Sequence, residues 1–139
     1  MRLTAHQNIK VAPAITPASY SAAGDTAGLE IDTLGYDEAL VVFHLGIATG
    51  TVAFDVWDCA TTGGTFAAVT GTAAPATGTY DSTEDVTVYV ARLDLRNFNR
   101  FIKVYYDVDT DVVLMSAAVI LLAAKEAPVT QVNTAVFSV

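Results

Sequence analysis

The sequence is poor in the residues from which chemical sites are usually built. Its 139 residues include one cysteine, one tryptophan and two histidines. The single cysteine, Cys59, excludes an intrachain disulfide and leaves secretion neither supported nor excluded. A reactive thiol needs a nearby cation or a helix N-terminus. Cys59 instead follows Asp58, whose carboxylate would raise the thiol pKa, so it reads as inert. Zinc requires three or four convergent ligands, and His6, His44 and Cys59 are scattered. No G-x-S-x-G, P-loop, G-x-G-x-x-G or C-x-x-C occurs. Neither His6, in an expected arm, nor His44, in mid-strand, stands where a β-scaffold presents a catalytic base. The expectation is a protein that is not an enzyme and has no cofactor.

Basic charge is also scarce, with 7 Lys and Arg against 15 Asp and Glu, a net charge of −8. A field of that sign repels phosphate backbones, so no nucleic-acid partner is expected. Arg92, Arg96, Arg100 and Lys103 nevertheless fall close together. They read either as a solvated loop and strand face or as a basic patch for docking on an acidic protein. Long apolar runs are missing. Val112 to Ala124 is the longest and contains Ser116, whereas a membrane-spanning helix needs about 20 apolar residues. The N-terminus has no uninterrupted apolar stretch and reads as mature protein. No membrane association is expected.

What the chain has is alternation. Hydrophobic residues make up 53% and mean hydropathy is +0.43, more than a small monomer needs, which suggests apolar surface covered by a partner. Ala39, Val41, Phe43 and Leu45 share one face of a strand, opposite Leu40, Val42 and His44. Val52, Phe54 and Val56 oppose Thr51, Ala53, Asp55 and Trp57, and Ile102, Val104 and Tyr106 oppose Phe101, Lys103 and Tyr105. Val86, Val88 and Val90 share a face that then switches to Leu93 and Leu95, which predicts a β-bulge near Ala91–Arg92. Turn residues at 48–50, 61–64, 74–85 and 107–111 separate these runs. The run over 112–124 is apolar on both faces and reads as a central strand, or one packed on a neighbouring subunit. The expected fold is all-β, an antiparallel β-sandwich (jelly-roll-like) of six to eight strands. An N-terminal arm over 1–25, a domain over 26–128 and a C-terminal tail over 129–139 are expected. Either end could instead add an edge strand. The expected core is Phe43, Phe54, Val56, Val88, Val90, Ile102, Val104 and Tyr106.

Two stretches invite a ligand. Asp107, Asp109 and Asp111 alternate like the start of a calcium loop, but the sixth and twelfth positions are Val112 and Ala118, not the Gly and Glu of an EF-hand. A looser site would need a carboxylate such as Asp81 or Glu84; otherwise the three are a polar hairpin tip. Trp57, beside Asp55 and Asp58, could stack on a sugar, or be outward or buried at a second interface.

The order of segments resembles a known group. "LGYDEALVVFHLG", then "GTVAFDVWDCATTGGTFAAV", then "RFIKVYYDVDTDVVLMSAAVILLAAKEAPV" resembles the small β-sandwich head decoration (cement) proteins of tailed bacteriophages, over roughly residues 29–129. "RFIKV" with the "APV" ending carries most of the likeness. "WDCATTGG" departs from the group's acidic–Gly turn, and Lys103 stands where Arg is more usual. The resemblance implies a structural virion protein on the capsid surface, made in the host cytoplasm. Its partner would be the major capsid protein, and a homo-oligomer, with a trimer favoured, would suit a local threefold. Position and composition nominate Arg92, Arg96, Arg100, Lys103, Trp57, Val136 and Phe137 as interface residues. The alternatives are another virion component (tail, connector or head fibre) and a carbohydrate- or calcium-binding adhesive module.

Overall fold

The computed structural model describes residues 8–21, 26–70, 78–81, 86–109 and 111–125. Among them run ten strands: β1 (Lys10–Tyr20), β2 (Thr26–Ala27), β3 (Ile31–Asp32), β4 (Tyr36–Ala48), β5 (Thr51–Cys59), β6 (Ala67–Ala68), β7 (Gly78–Tyr80), β8 (Thr87–Asp94), β9 (Phe101–Asp109) and β10 (Val113–Ala124). A 3-10 turn, Leu95–Asn97, joins β8 to β9. All pairings are antiparallel.

Two sheets form a sandwich. Sheet A has the order β1-β10-β4-β8, and sheet B has β9 and β5 at its centre. β2 and β3 lie end to end along β9, and β6 and β7 lie end to end along β5. Each couple is therefore one interrupted edge strand, and the ten segments occupy eight positions, four per sheet. Along the chain the eight positions fall in sheets A, B, A, B, B, A, B and A, which closes two Greek keys, the arrangement of a jelly roll. The predicted fold class and strand number hold in this form.

Alternation makes the core. Val41, Leu45, Val113, Val119 and Leu121 point inward from sheet A, and Val52, Val56, Ile102, Val104 and Val108 from sheet B, all at most 1% exposed. Burying each such side chain contributes about 1.5–3 kcal/mol. Phe43 of sheet A meets Phe54 of sheet B with ring centroids 4.1 Å apart. Where the chain changes sheets, its polar backbone is paired. Thr49, in the β4–β5 corner, gives both its backbone N–H and its hydroxyl to the Val112 carbonyl and accepts from Val112 N–H. This ties two corners at one end of the sandwich. At the opposite side Gly28 N–H donates to Val104 O (2.8 Å) and Leu29 N–H to Ala14 O (2.7 Å), joining an edge of each sheet. Only glycine fits there, because a Cβ would run into the carbonyl oxygens of Ala14 and Val104.

Three expectations require correction. Residues 10–20, set apart as part of an arm, are an edge strand of sheet A paired with β10. Pro13 and Pro17 lack the N–H that an inner strand would need, and an edge tolerates that. Val88 and Val90 are not in the core but 52% and 59% exposed. The inward row of β8 is Tyr89, Ala91 and Leu93, continued by Leu95, with Leu93 and Leu95 buried. That row is in phase throughout, so no bulge occurs at Ala91–Arg92, and β8 pairs with β4 without a shift from Thr87 to Asp94. The irregularities lie instead in β1 opposite β10, between Pro13 and Ile15 and between Ile15 and Ala18, and near Val113 opposite β4.

Candidate interaction surfaces

The segment with the most unusual residues, 54–69, begins on β5. Asp55, Trp57 and Cys59 alternate with the inward row and so lie on the outer face of sheet B, alongside Phe101, Lys103 and Tyr105 of β9. The Trp57 ring stacks on Tyr105, with centroids 4.0 Å apart and planes at 16°. Its indole N–H donates to Asp55 Oδ2 at 3.0 Å. The chain then turns at 61–64, with Gly63 at φ 65°, and folds back over this face. Phe66 lands against Cys59 and Phe101 to form a small second core, and the Lys103 ammonium sits 4.4 Å from the Phe66 ring centroid. Glu30 holds the turn down, accepting from the Thr62 hydroxyl (2.6 Å) and from Gly63 N–H (2.9 Å). The Thr62 bond first, then the Gly63 bond, lowers the Glu30 pKa below its ordinary value. Cys59 is therefore a packed side chain under a pinned turn, and Trp57 has a ring partner and a hydrogen-bond partner within its own sheet.

The four clustered basic residues do not form one patch: Arg92 and Arg96 border the same depression, together with Glu38 and Asp94, while Arg100 and Lys103 lie elsewhere. Arg92 lies on the outer side of sheet A and pairs with Glu38 at 3.0 Å. Arg96, in the 3-10 turn, pairs with Asp94 at 2.7 Å, and Arg100 pairs with Asp32 at 2.7 Å. Lys103 lies on the outer face of sheet B, on the far side of the sandwich. Hydrogen bonds from the guanidinium groups of Arg100 and Arg96 hold Asp32 and Asp94 below the usual carboxylate range and raise the pKa of both arginines. Each arginine thus has a carboxylate against it, which removes the electrostatic case for a single cationic patch.

The acidic stretch is similarly dispersed. Asp107 and Asp109 belong to β9, opposite Ala53 and Thr51, while Asp111 is in the following turn at φ 71°. Among the described residues no three His, Cys, Asp or Glu side chains come together as a metal site. Glu84, Val136, Phe137 and His6 lie outside the described residues. Among the described residues no helix is long and apolar enough to cross a membrane.

Among the described residues the outer face of sheet A is a broad apolar surface. Register places its side chains in rows across the four strands. One row is Val11, Ile120, Leu40 and Arg92, and the next is Pro13, Ala118, Val42 and Val90. A third runs from Ser116 through His44 to Val88. Val11, Leu114, Val88 and Val90 are 37%, 43%, 52% and 59% exposed. A depression of about 660 Å³ runs along this face, floored by Ser116 and Ala118 and walled by Pro13 and Pro17 on one side and Val88 on the other. His44 is exposed within it. The sequence carried a signal for this face in the two-sided apolarity of 112–124. The Val88–Val90 row of β8 is the other half of that signal, and it faces outward rather than into the core.

No family model matches the sequence, and no curated protein matches it. Among solved structures, a chain in the structure of infectious bursal disease virus, Gx strain, is similar over 86% of this protein, with a TM-score of 0.50 and 9% identity. This protein spans about a third (33%) of that chain. A chain of the Bacillus endospore appendages, described as disulfide-linked pili, aligns over 89% of this protein and 97% of itself, with a TM-score of 0.44 and 13% identity. At these identities the likeness to the viral chain is one of fold.

Proposed function

We propose that this protein is a structural component of a virus particle that binds the outside of an assembled capsid and stabilises it, as a decoration protein does. The observation that carries this reading is a jelly roll whose one sheet presents a broad apolar outer face. Such a body is suited to being packed against other protein, since soluble monomers rarely leave contiguous apolar patches beyond a few hundred Å² uncovered. The fold likeness to a chain of a virus structure supports the reading by analogy, because one fold serves many functions. The order of segments that resembles phage head decoration proteins supports it independently. The net charge of −8 would limit indiscriminate clumping of the free protein before it meets the shell. Repetition of a modest contact over many equivalent shell sites would then supply avidity.

The test is co-sedimentation with capsids that lack this protein, beside free coat subunits. Binding to shells but not to free subunits, with a rise in the temperature at which the shells break, is the expected result. Shells that neither bind the protein nor gain heat resistance would overturn the reading. A tail, connector or head-fibre role would show as binding elsewhere on the particle. The adhesive alternative rests on the Trp57–Tyr105 stack, and glycan binding abolished by Trp57→Ala would support it.

A further inference from the structure

We infer that the outer face of sheet A is the contact between two copies of this chain, related by a two-fold axis. The face has the size a specific contact requires. Four strands about 4.8 Å apart and about nine residues long at 3.3 Å each give roughly 19 by 30 Å, or ~570 Å² per copy before side-chain relief is counted. Two copies would remove about 1,100 Å² from water, just above the ~1,000 Å² at which specific interfaces begin.

The relief is self-complementary. Ser116 and Ala118 form a low floor along β10, and Val88 and Val90 stand up from edge strand β8 on the same face. A two-fold axis seats the valine ridge of each copy in the small-residue trough of the other, so that each contact is made twice. The charge distribution selects the same partner. The rows through Ser116, His44 and Val88 and through Pro13, Ala118, Val42 and Val90 carry no Asp, Glu, Lys or Arg, and the ion pairs at their end, Glu38–Arg92 and Asp94–Arg96, are each neutralised within the chain. A highly charged partner finds nothing to pair with there. A second copy of a chain carrying −8 meets the least repulsion where its own surface is uncharged. This inference concerns the free protein and uses the face on which the proposed shell contact also rests, so the two copies would part before that face met the shell.

Sedimentation equilibrium of the intact protein tests it. A contact of this area predicts a concentration-dependent equilibrium between one copy of 14.6 kDa and two, centred in the micromolar range near ~1 μM or above. Val88→Glu with Val90→Glu places charges at exposed positions, so the fold persists by circular dichroism while self-association weakens at least about tenfold, the effect of ~1.4 kcal/mol. Geometry is checked by Val90→Cys with Ala118→Cys in a Cys59→Ser background. Those two positions are two strands apart in one copy, about 9.6 Å, too far for an internal disulfide. Cross-linked dimers under oxidation support the inference. A monomer at every concentration would overturn it and would leave the face to the shell or to this chain's own residues 126–139. A trimer, or a dimer indifferent to the glutamates, would overturn it as well. Shell binding that fails while the dimer persists would count against the proposed function alone.

Discussion

Replacing Leu93 by alanine should cost far more than replacing Val90, although the two are three residues apart on the same strand. Leu93 is 1% exposed and stands opposite Ala39 in the sandwich interior, whereas Val90 is 59% exposed on the outer face. Leu→Ala removes about three methylene equivalents at ~0.8 kcal/mol each, near 2.4 kcal/mol. An uncollapsed cavity of ~50 Å³ at ~24 cal/mol per Å³ adds about 1.2 kcal/mol. The expected loss is therefore about 3–4 kcal/mol. Val90→Ala removes less, and more than half of that surface already faces water, so burial and strand propensity together cost less than about 1 kcal/mol. With a urea slope near 2 kcal/mol per M, Leu93→Ala should lower the unfolding midpoint by roughly 1.5–2 M and Val90→Ala by less than ~0.5 M. The assay is urea unfolding followed by circular dichroism, at concentrations low enough for single copies to dominate. Equal losses, or a larger one for Val90, would refute the assignment of faces on β8 and with it the apolar outer surface.

Gly28→Ala should destabilise by about 1–3 kcal/mol, because a Cβ there meets backbone oxygens of both sheets, with Val104 O at 2.8 Å, and neither can move independently; an unchanged melting temperature would contradict the closure at that edge. Glu30→Ala releases the turn over Cys59 and should speed labelling of the Cys59 thiol several-fold under native conditions, and an unaltered rate would show that Glu30 does not hold the turn. Asp32 and Asp94, with an ordinary pKa of 3.8, and Glu30, at 4.5, are all lowered in the folded state by the hydrogen bonds they accept. Stability from such groups is complete above those ordinary values and is lost as pH falls through the lowered ones. The urea midpoint should thus hold from neutral pH to about 5 and decline below about 4. Asp32→Asn should flatten part of that decline while costing under ~1 kcal/mol at neutral pH, since its ion pair with Arg100 is half-exposed; a midpoint insensitive to acid would contradict this.

The fold was legible because period-2 patterning is written plainly in β4, β5 and β9, where one face is apolar and the other polar or mixed. Of the eight residues expected in the core, Phe43, Phe54, Val56, Ile102, Val104 and Tyr106 are buried. Val88 and Val90 misled because hydrophobicity marks the buried face only when the other face is polar. On β8 the inward row is Tyr89, Ala91 and Leu93, no more hydrophobic to the eye than the valines outside. Pro13 and Pro17 suit an extended arm, but an edge strand such as β1 accepts proline just as readily. The basic cluster is spatial only for Arg92 and Arg96. A strand carries Lys103 to the outer face of sheet B while β8 leaves Arg92 on sheet A, and carboxylates distant in sequence, Asp32 and Glu38, reach Arg100 and Arg92. The outer face of sheet A shows locally only in the two-sided apolarity of 112–124; its extent depends on register, which joins β1, β10, β4 and β8 across the chain.

Electron cryo-microscopy of capsids lacking this protein, incubated with it and purified, tests the central claim most directly. The account predicts density at regular sites on the outer shell into which the eight-position jelly roll fits. Shells that emerge bare after saturating incubation, with the protein still folded in solution, would contradict it.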